Sequence, residues 1–198
     1  MGRRSDHSRE ELEELILAEG HRLMAEVGYP RFSAREVAKR VGYSVGTLYN
    51  LFDSNHRLIL AINSRTFLMW AAAMAERLAE DPEDRIAVLV DGYFRFASEN
   101  SNLWMAIYEH RTPEGSDLPE RYRKQRGELT GMVEAEIAKV LPEEARNKAA
   151  ALARSLVATV HGHCVFALTG TFALLGEDRP QEAALARVRE ALAAAGGR

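Results

Sequence analysis

Residues 33–51 read SAREVAKRVGYSVGTLYNL, which has the pattern of two short helices joined by a glycine turn. Apolar residues recur at helical spacing on one side of each: Val37, Ala38 and Val41 in the first, Val45 and Leu48 in the second. Gly42 occupies a turn position that tolerates a positive φ angle. The stretch therefore predicts a helix-turn-helix, in which the second helix enters the major groove of DNA with its amino end first.

Polar residues lie on and around the second helix, and a helix meant for burial would not carry them: Ser44, Thr47, Tyr49 and Asn50. Thr47 can offer its hydroxyl to a phosphate or a base and its methyl group to thymine. Tyr49 and Ser33 are candidate phosphate donors, and Arg35 is a charged one. Gly46 allows the backbone to approach DNA closely. These residue types favour a surface that binds DNA.

The stretch from Leu12 to Leu60 resembles the DNA-binding domain of the TetR/AcrR family of bacterial transcriptional repressors. The matching features are the A-x-x-x-G of Ala38 and Gly42, the G-T-L-Y of 46–49, Phe52 and a helix that opens at Ser54. The resemblance implies an all-helical homodimer whose small amino-terminal domain binds operator DNA. It also implies a larger carboxy-terminal domain that binds a small ligand, and release of the DNA when this ligand binds.

Residue type and resemblance together give the candidate DNA-binding residues: Ser33, Arg35, Ser44, Val45, Gly46, Thr47, Tyr49, Asn50, Asn55 and His56. By position, Tyr49 matches the phosphate-contacting tyrosine of the family. Most members have lysine where this chain has Asn55, and His56 or Arg57 is a candidate to compensate for the lost charge. We therefore expect weaker or differently salt-dependent DNA binding than in a relative that carries the lysine.

The remainder of the chain is also predicted to be helical, because strand-like alternation is nearly absent and strong helix formers dominate. We predict an all-α fold of about nine helices, near 8–27, 33–41, 44–51, 55–80, 83–99, 101–110, 119–140, 143–175 and 180–195. Ser33 and Glu36 predict a capping box, and Thr112–Pro119 a loop. The predicted domains are a helix-turn-helix DNA-binding domain at 1–54 and a ligand-binding and dimerisation domain at 55–198.

Composition sets outer limits on the class of protein. The 198 residues are 46% hydrophobic and 28% charged, which is typical of a globular protein and excludes disordered, collagen-like and disulfide-rich classes. The single cysteine, Cys164, fits a reducing compartment, and the amino end has no apolar secretory segment, so we predict a cytoplasmic protein. The net charge of −3 means that DNA binding depends on a local patch. Arg3 and Arg4 are either a minor-groove arm or a solvated tail.

The carboxy-terminal part is predicted to hold the ligand and the dimer interface. Four residues combine an apolar body with a polar group and are the candidate ligand-binding residues, although ordinary core positions are the alternative: Tyr93, Trp104, Tyr108 and His161. The ligand is then a mostly apolar compound. Residues 157–170 resemble the eighth helix of family members with a His-Gly signature. The last two helices carry small residues and long apolar faces, which predicts a four-helix homodimer interface.

Metal binding and membrane insertion are two other interpretations of the carboxy-terminal part. His161 and Cys164 are three residues apart and can share a helix face, but two ligands do not form a metal site, so we predict neither a metal nor a cofactor. Ser155–Gly176 carries no formal charge and is long enough to span a membrane, yet its histidines, threonines and glycines favour a helix buried in a protein core or a subunit interface.

The chain lacks G-x-S-x-G, H-E-x-x-H and a phosphate-binding glycine loop, so we predict that it is not an enzyme. A structural helical dimer or a nonspecific DNA-coating protein is the remaining alternative. The sequence leaves activation open beside repression.

Overall fold

A computed structural model describes residues 7–111 and 119–197, and over these residues the chain is helical without a strand. Ten α-helices follow one another: α1 Arg9–Val27, α2 Ala34–Val41, α3 Val45–Phe52, α4 Asn55–Ala79, α5 Arg85–Glu99, α6 Ser101–Glu109, α7 Glu120–Val140, α8 Ala149–Leu168, α9 Thr171–Leu175 and α10 Pro180–Ala194. Two 3-10 turns lie at Tyr29–Arg31 and Glu143–Lys148. The all-helical prediction is confirmed. Residues 112–118 of the predicted loop, and Arg3 and Arg4, lie outside the described residues.

The capping box forms at a different serine from the predicted one. The Ser8 hydroxyl accepts the backbone N–H of Glu11 at 3.2 Å, and the Glu11 carboxylate accepts the N–H of Ser8 at 2.7 Å. The prediction of a box at Ser33 is wrong, because its side chain makes no capping hydrogen bond. The Glu36 carboxylate accepts instead from Arg40 at 3.2 Å, one helical turn further on.

The single helix predicted at 143–175 is broken in two places. Glu143–Lys148 forms a 3-10 turn before α8 begins at Ala149. Gly170 has the left-handed backbone angles φ 75° and ψ 5°, which end α8 and separate it from the five-residue α9. A left-handed residue cannot continue a right-handed helix, and glycine adopts it without the steric cost that a side chain brings. The apolar composition on both sides conceals this break in the sequence.

The chain divides into two compact units, and the first comprises residues 1–67 and 100–125. Its α1 packs on α2, α3 and α6. The centre is built from large apolar residues that are almost fully buried: Ile16, Met24, Val37, Leu48, Leu58, Ile62 and Trp104. The buried side chain of Asn63 ties α4 to α6 by donating from Nδ2 to the carbonyl of Ala106 at 3.1 Å.

The second unit comprises residues 68–99 and 126–198. In it α8 packs on α10, and both pack on α5. The Trp70 and Phe96 rings are stacked with centroids 4.7 Å apart, and the Tyr93 ring meets Trp70 edge-on at 4.8 Å. The predicted division at residue 54 separates the chain by function. It stays a prediction, because α4 supplies residues to both of these compact units.

Two helices are long and apolar enough to cross a membrane by length and composition alone. They are Asn55–Ala79 and the stretch Glu143–Leu168. The apolar window of the first is 61% buried inside the protein, as expected for a core helix, and that of the second is 22% buried. Core helices of globular proteins pass the same test, so these two helices are weak evidence for insertion.

His21 gives the stability of the first unit a dependence on pH. Its Nε2 lies 3.2 Å from the Thr66 hydroxyl, and burial, with a smaller effect of the Arg65 charge, lowers the pKa of His21 from 6.5 to about 4. Between these values the unfolded chain binds a proton that the folded chain does not, so the free energy of unfolding rises as the pH rises from 4 to 6.5.

We expect a gain of about 2 kcal/mol over this interval, after allowance for the partial exposure of the ring. Urea unfolding followed by circular dichroism at pH 4.5 and pH 7 measures it. The His21→Gln variant cannot titrate at this position and is the control. Equal pH dependence in the parent and the variant would show that His21 is not the responsible group.

Candidate functional site

The turn between α2 and α3 is closed by a single left-handed residue. Gly42 has φ 79° and ψ 25°, and the N–H of Tyr43 next to it donates to the Ala38 carbonyl at 2.9 Å. Residues with a side chain rarely adopt this φ, and glycine does so without steric cost, so the backbone favours glycine here. The turn allows α2 and α3 to pack on each other, and it sets the direction in which α3 leaves the core.

The short α3 has one buried face and one face open to solvent. Leu48 and Phe52 are buried, at 0% and 4% exposure, and fix the helix on the first unit. The exposed side carries Ser44, Gly46, Tyr49 and Asn50, while Val45 and Thr47 are half-buried. The structure therefore brings these sequence-predicted residues together on and next to one short helix, with their polar groups directed away from the core.

A local hydrogen-bond network fixes the amino end of α3. The Ser44 hydroxyl accepts the backbone N–H of Thr47 at 3.1 Å, and the two hydroxyls lie 3.0 Å apart. Between them, a Cβ built on Gly46 would meet only the Ser44 oxygen, at an ordinary 3.5 Å. The fold therefore does not require glycine at position 46, in contrast to position 42. Its small size is available for close approach by a partner.

The amino end of α4 lies next in the chain after α3. The Ser54 hydroxyl caps it by accepting the N–H of Arg57 at 3.1 Å, and Asn55 is exposed in the first turn. Backbone N–H groups at a helix start carry a partial positive charge and attract anions. Arg57 is half exposed beside Asp53, with 3.5 Å between the charged atoms.

His56 is turned toward α6. Its Nδ1 lies 3.0 Å from Nε2 of His110, so one ring donates a hydrogen bond to the other, and Tyr29 packs on His110. Burial and the charge of Arg57 lower the pKa of His56, which disfavours its charged form. Arg57, half exposed at the same helix end, is the stronger candidate cation.

The basic residues of α2 differ in whether their positive charge is already paired with carboxylates. Arg40 contacts the carboxylates of three residues, Glu26 at 2.8 Å and Glu19 and Glu36 at 3.2 Å. The hydrogen bonds to Glu26 and Glu36 raise the pKa of Arg40. Glu19 is only 5% exposed, so Arg40 compensates a buried charge. Arg35, by contrast, is exposed and makes no ion pair within the described residues. The sequence alone does not distinguish the two arginines, because the α1 glutamates that hold Arg40 are distant in sequence.

In the second unit, an apolar cavity of about 50 Å³ lies between α5, α7, α8 and α10. Its walls are aliphatic except for one tyrosine: Ile86, Leu89, Val90, Tyr93, Val133, Ile137, Leu156, Val157, Val160 and Val188. The Tyr93 hydroxyl lies 3.0 Å from Nδ1 of His161, whose pKa is lowered by burial. The cavity thus suits an apolar molecule with one neutral hydrogen-bonding group nearby.

The four candidate ligand-binding residues fall into two pairs in different units. Tyr93 and His161 are hydrogen-bonded in the second unit. Trp104 and Tyr108 are in the first unit, with ring centroids 5.2 Å apart, where Trp104 is fully buried and Tyr108 is 42% exposed. The sequence singles out the aromatic residues but not the aliphatic residues that line the cavity. Valine and leucine recur at the same helical spacing in a cavity wall and in a filled core, so the sequence does not separate the two.

The region around Cys164 holds no group of three metal ligands within the described residues. The Nδ1–H of His163 donates to the Thr159 carbonyl at 2.8 Å on the same helix. Cys164 is fully buried, and burial raises the pKa of its thiol to about 12. The thiol is therefore protonated and shielded at neutral pH.

The Gly42 turn between α2 and α3 and the exposed polar face of α3 are the features of a helix-turn-helix protein. The sequence profile described as "Bacterial regulatory proteins, tetR family" matches residues 16–62, and the profile "Tetracyclin repressor-like, C-terminal domain" matches residues 86–192. The second profile alone covers more than half of the chain. The chain therefore belongs to the TetR family of transcription regulators, which are generally ligand-responsive DNA-binding repressors.

Solved structures share this fold at low sequence identity. A protein with unknown function from Rhodococcus sp. RHA1 is 19% identical with a TM-score of 0.71, and 98% of each chain is covered. A TetR transcription regulator from Haloarcula marismortui is 21% identical with a TM-score of 0.62, over 93% of this chain and 98% of that one. The multidrug binding protein EbrR, complexed with imidazole, is 22% identical with a TM-score of 0.61, over 92% and 96%. No curated protein sequence matches the chain significantly.

The burial of Cys164 predicts an inert thiol. Because the thiolate is the reactive form, a pKa of about 12 leaves almost none of it at pH 7. We expect the folded protein to resist a thiol-specific disulfide reagent for hours and the urea-unfolded protein to react within minutes. Absorbance of the released thiol measures both rates, and the Cys164→Ala variant provides the background. Rapid reaction in the folded state would contradict the burial.

Proposed function

We propose that this chain is a ligand-responsive transcriptional repressor that binds a pseudo-palindromic operator as a homodimer. The observation that carries the proposal is the geometry of α3, whose apolar residues are buried while its polar residues and Gly46 are exposed together. A helix of eight residues held in this way can enter a major groove with its amino end first. Membership of the TetR family supports the same reading.

The DNA contacts are proposed residue by residue. Val45, Gly46 and Thr47 at the front of α3 read base edges or approach the sugar-phosphate backbone. Ser33, Arg35, Ser44, Tyr49, Asn50 and Asn55 are proposed to contact phosphates or groove edges. At the start of α4, helix N–H groups and Arg57 act in place of the lysine that most members have. His56 is proposed to hold this helix end against α6.

We infer that a small, mostly apolar effector releases the operator. The aliphatic cavity beside the Tyr93–His161 hydrogen bond is the proposed effector site. EbrR, which shares the fold, is a multidrug binding protein, and this agrees with an apolar site. The long α4 begins at the proposed phosphate contacts and also supplies residues to the second unit. A shift of α4 is therefore the proposed link between effector and DNA.

The homodimer is proposed to form through the last two long helices, α8 and α10. One exposed side of α8 carries small or aromatic residues without charge: Ala151, Ser155, Ala158, Gly162 and Phe166. The following α9 exposes Leu174 and Leu175 at 89% and 67%. A second copy would cover these groups and bring two α3 helices to major grooves about 34 Å apart.

We propose that the protein is located in the bacterial cytoplasm and has no catalytic activity, since its proposed partners are operator DNA and an effector. The alternative, a helical dimer that coats DNA without sequence preference, differs in one measurable property. It binds random and operator duplexes equally at physiological salt. An activator is distinguished from a repressor by the direction of the transcriptional response.

The DNA-binding proposal is tested by fluorescence anisotropy with the gene's own upstream duplex and a scrambled duplex at two salt concentrations. We expect selective binding to the upstream duplex. We expect the Arg35→Gln variant to reduce the slope of log affinity against log salt by about two, since the dimer loses one phosphate contact in each subunit.

The matched control is Arg40→Gln, which removes the same charge from the same helix. Because three glutamates already hold Arg40, we expect its salt slope to equal that of the parent, while its unfolding temperature falls. Equal slopes for all three proteins would remove Arg35 from the contact surface. Equal affinity for both duplexes would favour the coating alternative, or an operator elsewhere in the genome.

The dimer proposal is tested by sedimentation. We expect the parent to sediment as a dimer of the 22.1 kDa chain and the Ala158→Arg variant to sediment as a monomer, because the interface would bury an unpaired charge. The control is Ala75→Arg, the same change on the exposed side of α4. A dimeric Ala158→Arg variant would place the interface elsewhere.

A further inference from the structure

A cleft between α4 and α5 in the second unit is separate from the proposed effector cavity. Its volume is about 40 Å³, and the side chains that matter for its chemistry are Trp70, Met74 and Arg77 from α4 and Arg95 and Phe96 from α5. The effector cavity, in contrast, is lined by α5, α7, α8 and α10. Neither the family profile nor the proposed function assigns a role to this cleft.

Two residues that line the cleft carry buried hydrogen-bond donors without acceptors among the described residues. Trp70 is 2% exposed, and its indole Nε1 has no hydrogen-bond partner within the described residues. Arg77 uses Nη2 to pair with Asp91, but its Nη1 is buried without a partner in the same part of the chain. Buried donors are nearly always matched in folded proteins, so unmatched N–H groups on two residues that line one cleft indicate an acceptor that the protein itself does not supply.

Gly92 leaves room for the Met74 side chain beside the unmatched nitrogen of Arg77. A Cβ built on Gly92 would lie 2.6 Å from the methyl carbon of Met74 and 3.4 Å from Nη1 of Arg77. The end of the Met74 side chain and the unmatched guanidinium nitrogen therefore both lie next to Gly92. Methionine has three rotatable bonds and adapts its shape easily, so an acceptor gains access when this side chain rotates, without backbone movement.

The charges and rings of the cleft select the kind of acceptor. Arg77 and Arg95 oppose a single lining acid, Glu99, which favours an anion. The nearby Asp91 is occupied, because it also accepts from Gln181 at 2.9 Å. The stacked rings of Trp70 and Phe96, with planes 2° apart, and the Met74 sulfur offer flat, polarizable walls.

We infer that this cleft is a second ligand site that binds a small aromatic carboxylate. The carboxylate oxygens accept from the Trp70 indole and the free arm of the Arg77 guanidinium, and the ring of the ligand lies against Met74 and Phe96. A guanidinium with one arm held by Asp91 is pre-oriented for this contact. The inference stands independently of the operator and of the effector cavity.

Benzoate and its neutral analogue benzamide are the probes. The Trp104→Phe variant leaves Trp70 as the sole tryptophan, so its fluorescence reports on the cleft. At constant ionic strength we expect saturable binding of benzoate, with an affinity about tenfold higher than that of benzamide, because only benzoate forms charge-assisted hydrogen bonds. Absence of saturable binding by benzoate, or equal binding of both probes, would overturn the inference and leave ordered water as the acceptor.

The Gly92→Ala change in this background identifies the location, since its methyl group takes the space beside Nη1 of Arg77 while the ion pair with Asp91 is retained. The matched control is Gly127→Ala, in a helix where a Cβ meets nothing within 4 Å. We expect benzoate affinity to fall about tenfold in Gly92→Ala and to stay unchanged in Gly127→Ala. Unchanged affinity in Gly92→Ala would mean that benzoate binds elsewhere, such as the apolar cavity.

Arg77→Lys gives a second test that does not depend on Gly92. It keeps the positive charge but loses the planar fork, and we expect weaker benzoate binding with no change for benzamide. The helical signal in circular dichroism verifies that each variant is folded. If Arg77→Lys binds benzoate as well as the parent does, the guanidinium is not the anion ligand and the inference fails.

Discussion

The left-handed turn at Gly42 is the constraint on which the DNA-facing part of the molecule depends. With φ at 79°, it ends α2 within one residue and lets the Tyr43 N–H reach the Ala38 carbonyl. The next helix then has only eight residues, and two of them, Leu48 and Phe52, must be buried to hold it. Because Leu48 and Phe52 hold one side of this short helix against the core, its opposite, polar side stays exposed.

Charge in the first unit is distributed by tertiary pairing. The acidic α1 carries residues that are nearly buried or paired across the unit, such as Glu19 with Arg40 and Glu14 with Arg65 at 2.5 Å. These pairs remove glutamate charge and arginine charge together. A chain with a net charge of −3 can in this way keep an exposed cation such as Arg35 available for phosphate.

Several features could be predicted from local sequence, and others could not. The nine longer helices and the polar side of α3 follow from spacing and composition, because 3.6-residue periodicity is a local property. The box at Ser33 failed because Arg40, four residues after Glu36, is a better partner for this carboxylate than the helix start. The break at Gly170 could not be predicted, because glycine is also tolerated inside packed helices. Its backbone conformation depends on the tertiary structure.

The sequence by itself determined the helical class, the turn at Gly42 and the family to which the chain belongs. Each of these depends on residues within a few positions of one another, or on a pattern that many related chains repeat. Only the tertiary structure decided which arginine is engaged by glutamates, which aliphatic residues line a cavity, and which donors, at Trp70 and Arg77, stay unmatched. These properties arise between side chains from different helices, and the linear order of residues does not specify such distances.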